Sequence, residues 1–181
     1  HSLTGSANSY NVIYEHPEFG NCIIPGPKEK GGFYNVQTIN AIDHGNGSVT
    51  GEYLSQFQGR LPEWVKAQGP LGFFGTVHGK VLQLMIDDKG QAKVVIEITK
   101  WDGPLPAWMV EVFIDKGEGK TLATTDMMSS WFYSTDPTDL VMYKDFTPQE
   151  YIDWSWGILE PLNLPGMGAI IRIDNGNVQV R

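Results

Sequence analysis

Alternating hydrophobic and polar residues predict a run of β-hairpins over residues 80–116, in the middle of the chain. The first strand of this run, residues 81–87, leads into residues 88–90, whose glycine suits the left-handed position of a three-residue hairpin turn. A second strand covers residues 91–101. A loop with two prolines separates it from a third strand, residues 107–115. The segment is therefore expected to form an antiparallel sheet.

Further strands are predicted on both sides of the central run. Residues 33–43 and 48–57 have strand-like patterns and are joined by a glycine-containing turn at residues 44–47. Another strand is expected around residues 131–133. Residues 1–30 are polar and interrupted by prolines, so they are expected to be extended and irregular.

One helix has a clear start signal in the C-terminal region. Thr147 and Glu150 have the spacing of a capping box, and Pro148 occupies the first helical position. Residues 151–159 continue the helix, and Pro161 ends it. The helix is apolar on nearly every side, which predicts that it is either sandwiched between layers or capping an opening of the β-structure.

The turn lengths predict which side chains of the central hairpins share a face. Pairing Asp87 with Gln91, and Trp101 with Ala107, collects nine aliphatic side chains on one surface. These are Leu82, Leu84, Ile86, Val94, Ile96, Ile98, Val110, Val112 and Ile114. Burying each of them contributes roughly 1.5 kcal/mol or more before entropy is counted, so this face is expected to form the core.

The opposite face of the same hairpins is mixed in character. Glu97 and Glu111 are expected directly across from each other, with Cβ atoms about 5 Å apart, while Lys93 is expected opposite Asp115. The large apolar members of this face are Met85, Trp101, Met109 and Phe113. Like charges in such positions are unfavourable unless water screens them, a cation bridges them, or one is protonated.

Two interpretations of the Glu97 and Glu111 pair follow. In the first, the mixed face points outward or is covered by packing, and the carboxylates are hydrated. In the second, the face lines a ligand cavity, where crowding and desolvation raise the pKa of one carboxyl group so that it acts as a general acid and its partner as a base. The apolar neighbours favour a covered surface, which another layer could supply without any chemistry.

Aromatic residues near the helix are the predicted walls of such a cavity. Tyr151, Trp154 and Trp156 could form a lid, with Asp153 as a polar or acidic contact. The alternative is that these residues plug one end of the sheet. Trp131 and Tyr133 lie at alternate positions of a predicted strand and could line the same cavity.

Composition supports an all-β, mostly antiparallel fold. Six Trp, seven Tyr and eight Phe accompany 21 Gly and 11 Pro among 181 residues, and aromatics fill pleated surfaces while Gly and Pro end short strands. We expect a single domain over residues 1–181, built as a lipocalin-like barrel or a strongly curved β-sandwich with one helix packed on it or capping it. The comparison is architectural, since the Gly-x-Trp signature of lipocalins is absent.

Charge and residue content exclude several classes of partner. The net charge of −8 disfavours nucleic acids and anionic membranes, and no apolar run approaches the roughly 18 residues of a membrane span. The single cysteine, Cys22, cannot form an internal disulfide. A soluble protein is expected, either cytoplasmic or secreted after removal of a leader, and it could form homo-oligomers. Asn46-Gly47-Ser48 matches the N-glycosylation pattern.

Cofactor and metal motifs are missing from the sequence. No histidine has a partner at zinc-ligand spacing, and no phosphate-binding loop or nucleophile elbow is present. Residues 136–139 and 174–177 are rich in Asp and Asn but lack the full spacing of a calcium loop, so both are expected to be plain turns. No cofactor and no metal site is expected.

Three functions are compatible with these features. The first is a cofactor-independent isomerase or cyclase that binds a small, largely apolar metabolite in a hydrophobic pocket. Its catalytic candidates are Glu97, Glu111 and Asp153. Its substrate-binding candidates are Trp101, Met109, Phe113, Trp131, Tyr133, Tyr151, Trp154 and Trp156. The second is a non-catalytic carrier that uses the same pocket, and the third is a carbohydrate-binding module that uses exposed tryptophans.

Overall fold

The computed structural model of the protein describes residues 1–16, 20–25, 33–58, 75–117, 125–162 and 170–181. Residues 17–19 and 26–30, for which an irregular chain was expected, lie outside the described residues.

Strands and two helices make up most of the described chain. The strands are β1 (Ser2–His16), β2 (Gly20–Pro25), β3 (Phe33–Asp43), β4 (Val49–Gln58), β5 (Thr76–Ile86), β6 (Gln91–Lys100), β7 (Ala107–Ile114), β8 (Met127–Ser129), β9 (Phe132–Ser134), β10 (Ile170–Arg172) and β11 (Asn175–Val180). The helices are α1 (Pro137–Asp145) and α2 (Pro148–Leu159), and a short 3-10 turn (Glu160–Leu162) follows α2.

The strands form one strongly curled, antiparallel half-barrel sheet. Nine strands follow one another in the order β10-β8-β7-β6-β5-β4-β3-β1-β11, and β2 and β9 pair at the side with β1 and β7. This confirms the prediction of a mostly antiparallel β-fold that is consistent with a lipocalin-like barrel. Two helices near the C-terminus cover the sheet where one was predicted. Neither of these helices is long and apolar enough to cross a membrane.

The predicted hairpin and capping box are both present. β3 and β4 pair from Tyr34 with Gln58 to Asp43 with Val49. Thr147 accepts a hydrogen bond from the backbone N–H of Glu150, whose carboxylate accepts one from the backbone N–H of Thr147. Residues 2–16, in contrast, form a long strand where only a short extended piece was expected, because their backbone is paired with β3 on one side and with β2 and β11 on the other.

The turn predicted at residues 136–139 is the start of helix α1. Asp136 is the N-cap residue and accepts a hydrogen bond from the backbone N–H of Thr138, with Pro137 at the first helical position. Asp139 follows in the first turn, where a negative charge interacts favourably with the helix dipole. Asp followed by Pro is typical of a turn, and it is equally typical of a helix N-terminus.

The first central hairpin has the predicted turn and a bulge beyond it. The backbone N–H of Asp87 donates to the carbonyl of Gln91 at 3.0 Å, and Leu84 pairs with Val94 as expected. The register then shifts between Val81 and Gln83. As a result Val81, and not Leu82, lies opposite Ile96 and is fully buried.

The predicted register of the second central hairpin is wrong by three residues. Ala107 pairs with Ile98, and not with Trp101, so the connecting loop spans residues 99–106. Because side chains alternate along a strand, an odd shift moves every β7 side chain to the other face. All eight residues of β7 are buried, so the hydrophobic pattern of this strand was compatible with either register.

The two faces of the hairpin formed by β6 and β7 are covered by different layers. The interior of the curled sheet holds Met109 and Phe113 together with the β6 residues Val94 and Ile96. The outer face of β7 packs under the two helices. Its aliphatic residues Val110, Val112 and Ile114 contact a cluster that contains Tyr143, Tyr151 and Ile152. Eight of the nine predicted aliphatics thus divide between two cores, and Leu82 belongs to neither.

Lys93 joins helix α1 to the outer face of the sheet. It lies opposite Val112, and not opposite Asp115 as predicted, and its side chain is fully buried. Its Nζ donates to the carbonyls of Tyr143 at 2.7 Å and Lys144 at 3.1 Å, and also to the carbonyl of Phe146. These acceptors are at the C-terminal end of the helix, where a cation satisfies free carbonyls and opposes the dipole.

Helix α2 is joined to the sheet by the buried Tyr151. Its Oη lies 2.7 Å from the carbonyl oxygen of Ser130 and 3.1 Å from that of Val110. Burial, followed by the negative charge of Glu111, raises the pKa of Tyr151 well above 10, which keeps its O–H available as a donor. The ring packs edge-on to Phe132, with centroids 6.5 Å apart.

Two aspartates connect β11 to the chain that follows β7 and precedes β8. Asp126 accepts from the backbone N–H of Val178 at 2.8 Å and from that of Lys116 at 3.0 Å. Asp115 accepts from the backbone N–H of Val180 at 3.0 Å. The strand β11 is thus paired with β1 on one edge and with carboxylates on the other, which satisfies N–H groups that an open sheet edge would expose.

Replacing Asp126 with alanine is expected to lower the free energy of unfolding by about 2–4 kcal/mol, because two backbone N–H groups lose a charged acceptor in a buried position. Urea denaturation measures this loss. The matched control is Asp88→Ala in an exposed turn, where a change of less than about 0.5 kcal/mol is expected. Equal effects of the two substitutions would contradict the role assigned to Asp126.

Lys93→Met is expected to destabilise the protein by about 2 kcal/mol at neutral pH, because carbonyls at the end of α1 lose their donor. Burial lowers the pKa of Lys93 from 10.5 to about 8, so the unfolded chain binds more protons than the folded one between these values. Wild-type stability conferred by Lys93 therefore increases as pH rises from about 8 to 10.5. The difference between wild type and variant should widen by up to about 3 kcal/mol over this range.

Urea denaturation of both proteins at pH 7 and pH 10 measures that difference. The control is Lys89→Met, since Lys89 is exposed in the turn between β5 and β6. A difference between wild type and Lys93→Met that stays constant with pH would contradict the assignment.

Candidate functional site

The strongest candidate site lies in the interior of the curled sheet, around Glu111. This residue follows Val110 on β7, points away from the helices and has no exposed surface. Gln37 on β3 and Tyr53 on β4 contact its carboxyl group from across the interior. Because β3 and β4 are separated from β7 by β5 and β6 in the sheet, the curl alone brings these side chains together.

Five buried polar side chains connect into a closed ring of hydrogen bonds. Gln37 Nε2, oriented toward the acid, lies 3.1 Å from both carboxyl oxygens of Glu111, and Gln37 Oε1 accepts from Asn35 Nδ2 at 3.0 Å. Ser55 Oγ donates to Asn35 Oδ1 at 3.0 Å. Tyr53 completes the ring through its contacts with Ser55 and Glu111.

Burial, and not the ring, moves Glu111 toward its neutral form. Burial raises the pKa of this carboxyl group well above 4.5, and the hydrogen bonds from Gln37 and Tyr53 oppose that rise only in part. Within the ring, Tyr53 donates to the carboxyl group of Glu111, and Ser55 Oγ donates to Asn35 Oδ1.

Burial has a parallel effect on Tyr53. Desolvation, followed by the charge of Glu111, raises the pKa of its phenol well above 10. Burial therefore shifts both groups toward their neutral forms.

Apolar residues surround the ring. Met109 and Phe113, two of the predicted substrate-binding residues, flank Glu111 on the interior face of β7, and both are buried. Trp101 and Trp131 are half-buried and pack against the same interior cluster. The indole N–H of Trp101 donates to the carbonyl of Pro104 at 3.0 Å, which holds the ring against its own loop.

The predicted opposition of Glu97 and Glu111 is wrong. Glu97 lies on the outer face of β6, half-buried, where it pairs with Trp108 on β7 and with Lys80 on β5. Glu111 pairs with Val94 on the other face. The three-residue difference in register separates the two carboxyl groups, so they cannot act as an acid and base pair on one substrate.

Asp153 is also remote from the interior. It is exposed on helix α2 and accepts a hydrogen bond from Gln149 Nε2 at 2.9 Å, one turn earlier in the helix. Such a pair on a solvent-facing helix surface stabilises the helix. The structure thus leaves Glu111, of the three predicted catalytic residues, inside the sheet.

The predicted aromatic lid separates into two environments. Tyr151 and Trp154 lie between helix α2 and the outer face of the sheet, with ring centroids 5.8 Å apart. Trp156 is 41% exposed and Tyr133 is 42% exposed, the latter edge-on to Trp101 at 5.0 Å. Tyr151 and Trp154 thus pack on the outer face of the sheet, Trp156 and Tyr133 are exposed, and none of the four is placed beside Glu111 in the interior.

Surface grooves are also present, and one of them is lined in part by Tyr53, the hydrogen-bond partner of Glu111. One of about 830 Å³ is bounded by Val141 and Met142 of α1, with Asp145 and Glu150 at its border. Another of about 770 Å³ lies along strands β3, β4 and β5 and includes Glu52, His78 and Lys80. Glu111 lines neither groove.

Sequence reasoning missed the partners of Glu111. Asn35 and Gln37 lie on the same face of β3 as the buried Ile39 and Ala41. The presence of two amides on an otherwise apolar strand face was the sequence feature that could have revealed them, because buried amides require hydrogen-bond partners. Their partner could not be named without knowing which strand lies across the interior.

No group of three or more histidine, cysteine, aspartate or glutamate side chains is arranged to hold a metal ion among the residues that the structure describes. Of residues 174–177, predicted to be a turn, Asp174 precedes strand β11 and residues 175–177 begin it. The carboxylate of Asp174 accepts from the backbone N–H of Tyr10 at 3.0 Å.

Comparison of the chain with protein-family models, with curated proteins and with solved structures returned no match in any of the three.

Glu111→Gln should change the pH dependence of stability. The raised pKa of Glu111 means that the folded protein holds a proton that the unfolded chain releases near pH 4.5. Wild type therefore loses stability as pH rises above 4.5, up to the folded pKa, while glutamine is unaffected. The free energy of unfolding of the variant is therefore expected to rise, relative to that of wild type, by up to about 1.4 kcal/mol per pH unit in that interval.

Urea unfolding at intervals from pH 4 to pH 8 tests this expectation. Glu97→Gln, on the outer face of the neighbouring strand, controls for the chemical change itself. A difference between wild type and Glu111→Gln that does not vary with pH would show that Glu111 is ionised in the folded protein.

Proposed function

We propose that the interior of the curled sheet binds a small, largely apolar molecule and that Glu111 protonates it, so that the protein acts as a cofactor-independent isomerase or cyclase. The observation that carries the proposal is the fully buried carboxyl group of Glu111, whose pKa burial raises well above 4.5, beside an apolar cluster that includes Met109 and Phe113. A carboxylic acid that stays neutral at physiological pH is a suitable general acid.

The neighbours of Glu111 can stabilise the negative charge that remains on its carboxylate after proton transfer. When the acid gives its proton to a substrate atom, a carboxylate remains, and Gln37 Nε2 already lies 3.1 Å from both of its oxygens. The phenol of Tyr53 can turn its O–H toward the same carboxylate. Donors that are in position before the reaction stabilise the developing charge without reorganisation.

The substrate side of the reaction needs apolar walls and stabilisation of positive charge. Protonation of an olefin, an epoxide or a carbonyl oxygen generates a cation, which rearranges or closes a ring before the carboxylate recovers a proton. Trp101 and Trp131 pack against the interior cluster, and indole faces attract cations by about 0.5–2 kcal/mol. An acidic surface with net charge −8 is compatible with a neutral, apolar substrate.

A carrier of the same kind of molecule is the second candidate, and it is supported by the same apolar interior. The carbohydrate-binding alternative has less support. It requires coplanar aromatic rings on an open surface, whereas the rings of Trp101 and Tyr133 stand at 79° to each other. Trp156 is exposed at 41% on helix α2, and its helix neighbour Trp154 is turned toward the sheet.

The enzyme hypothesis predicts that Glu111→Gln keeps binding and loses turnover. Binding is measured by the fluorescence of the neutral apolar probe N-phenyl-1-naphthylamine. Turnover is measured by mass spectrometry on a panel of small apolar epoxides, enones and olefins, in ordinary and in deuterated water. Probe affinity should stay within about threefold, while product formation should fall by about 100-fold or more, as for loss of a general acid.

Glu97→Gln is the matched control and should retain both properties, because Glu97 lies on the outer face. Binding by wild type without conversion of any compound would favour the carrier. Failure of the wild type to bind the probe, together with oligosaccharide binding that Trp156→Ala abolishes, would favour the carbohydrate-binding module and contradict the proposal.

A further inference from the structure

The turn between β3 and β4 has a feature that the proposed function does not use. Residues 44–48 are all exposed, and they contain Asn46-Gly47-Ser48. This is the one Asn-x-Ser/Thr triplet in the sequence, and the central residue is not proline. N-linked glycosylation requires this triplet in an accessible position.

Local hydrogen bonds give this turn a defined shape. The backbone N–H of Gly45 donates to Asp43 Oδ1 at 2.9 Å, and the imidazole of His44 contacts Thr50 Oγ1 at 2.9 Å. The backbone N–H of His44 donates to the carbonyl of Ser48 at 3.1 Å. Gly45 and Gly47 have positive φ angles of 73° and 81°, which other residues rarely adopt, so the two glycines allow the chain to reverse.

The two reactive residues of the triplet are in direct contact. Ser48 Oγ donates to Asn46 Oδ1 at 2.5 Å, and the backbone N–H of Ser48 donates to the same oxygen at 3.0 Å. Both hydrogen bonds are accepted by the amide oxygen, so neither of them involves the amide nitrogen, which is the atom that bonds to the sugar in N-glycosylation. A hydroxyl two residues after asparagine, bonded to its amide, is the arrangement that distinguishes this triplet from an ordinary Asn-Gly turn.

The surroundings leave room for a bulky group. An added Cβ atom at Gly45 or at Gly47 would meet no other atom within 4 Å. The pairing of β4 with β5 and of β5 with β6 puts this turn at the same end of the sheet as residues 88–90, and at the opposite end from residues 99–106. A glycan here would therefore stand clear of Trp101, and would not cover that side of the interior.

We propose that Asn46 is an acceptor for an N-linked oligosaccharide. The donor is a lipid-linked oligosaccharide diphosphate, supplied with its transferase in the secretory pathway. Nδ2 of Asn46 forms a bond to the anomeric carbon of the first sugar and loses one proton. The bond from that carbon to the diphosphate breaks, and the lipid diphosphate leaves with the electron pair.

The proposal is tested on the full chain in two ways. Protein isolated from the cells that make it is digested, and the peptide containing Asn46 is analysed by mass spectrometry before and after peptide:N-glycosidase F, which converts a glycosylated asparagine to aspartate. In parallel, the chain is expressed behind a cleavable secretion signal in a eukaryotic host. A hexose-containing mass increment on this peptide, lost with the enzyme, is expected in both preparations.

Variants separate the triplet from the turn. Asn46→Gln and Ser48→Ala should abolish the increment completely, while Ser48→Thr should retain it, because threonine keeps the hydroxyl. Asn40→Gln, at an exposed position of β3 outside the triplet, should also retain it. Thermal unfolding of each secreted variant checks that the fold is intact. An unmodified Asn46 in folded protein secreted by the host, or in protein isolated from its own cells, would overturn the proposal.

Discussion

The burial of both faces of strand β7 is the constraint on which the rest of the structure depends. The curl of the sheet encloses one face, and helices α1 and α2 cover the other, so all eight residues of Ala107–Ile114 are buried. Every polar group brought into these two layers must then find a partner within the protein, because water is excluded from both. The arrangement of Glu111, Lys93 and Tyr151 follows from that requirement.

The two layers meet the requirement in different ways. On the helix side, Lys93 and Tyr151 donate to backbone carbonyls, and these bonds hold the helices at defined positions on the sheet. On the interior side, Glu111 belongs to a ring of side chains that satisfy one another. The backbone acceptors attach the helices to the sheet, whereas the ring connects β7 to β3 and β4 across the interior.

The hydrophobic pattern was sufficient to predict one hairpin whose strands have a single buried face. The hairpin of β3 and β4 alternates between buried and exposed residues, and it was predicted nearly to the residue. Helix α2 was recognised from the capping box of Thr147 and Glu150, which acts within a single turn. In α1 the same kind of local signal, Asp136 before Pro137, was interpreted as a turn, because that short helix has no amphipathic pattern to extend it.

By itself, the sequence determined the mostly antiparallel β-fold and the turn of the first central hairpin, and it named Glu111 as one of three candidate acids without distinguishing it from Glu97 and Asp153. Only the tertiary structure decided the register of β7, because a strand that is buried on both sides has no alternation to distinguish a shift of three residues. That register separates Glu97 from Glu111 and brings Glu111 to Gln37 and Tyr53. Contacts across a curled sheet join residues far apart in the chain, and no local pattern encodes which of them meet.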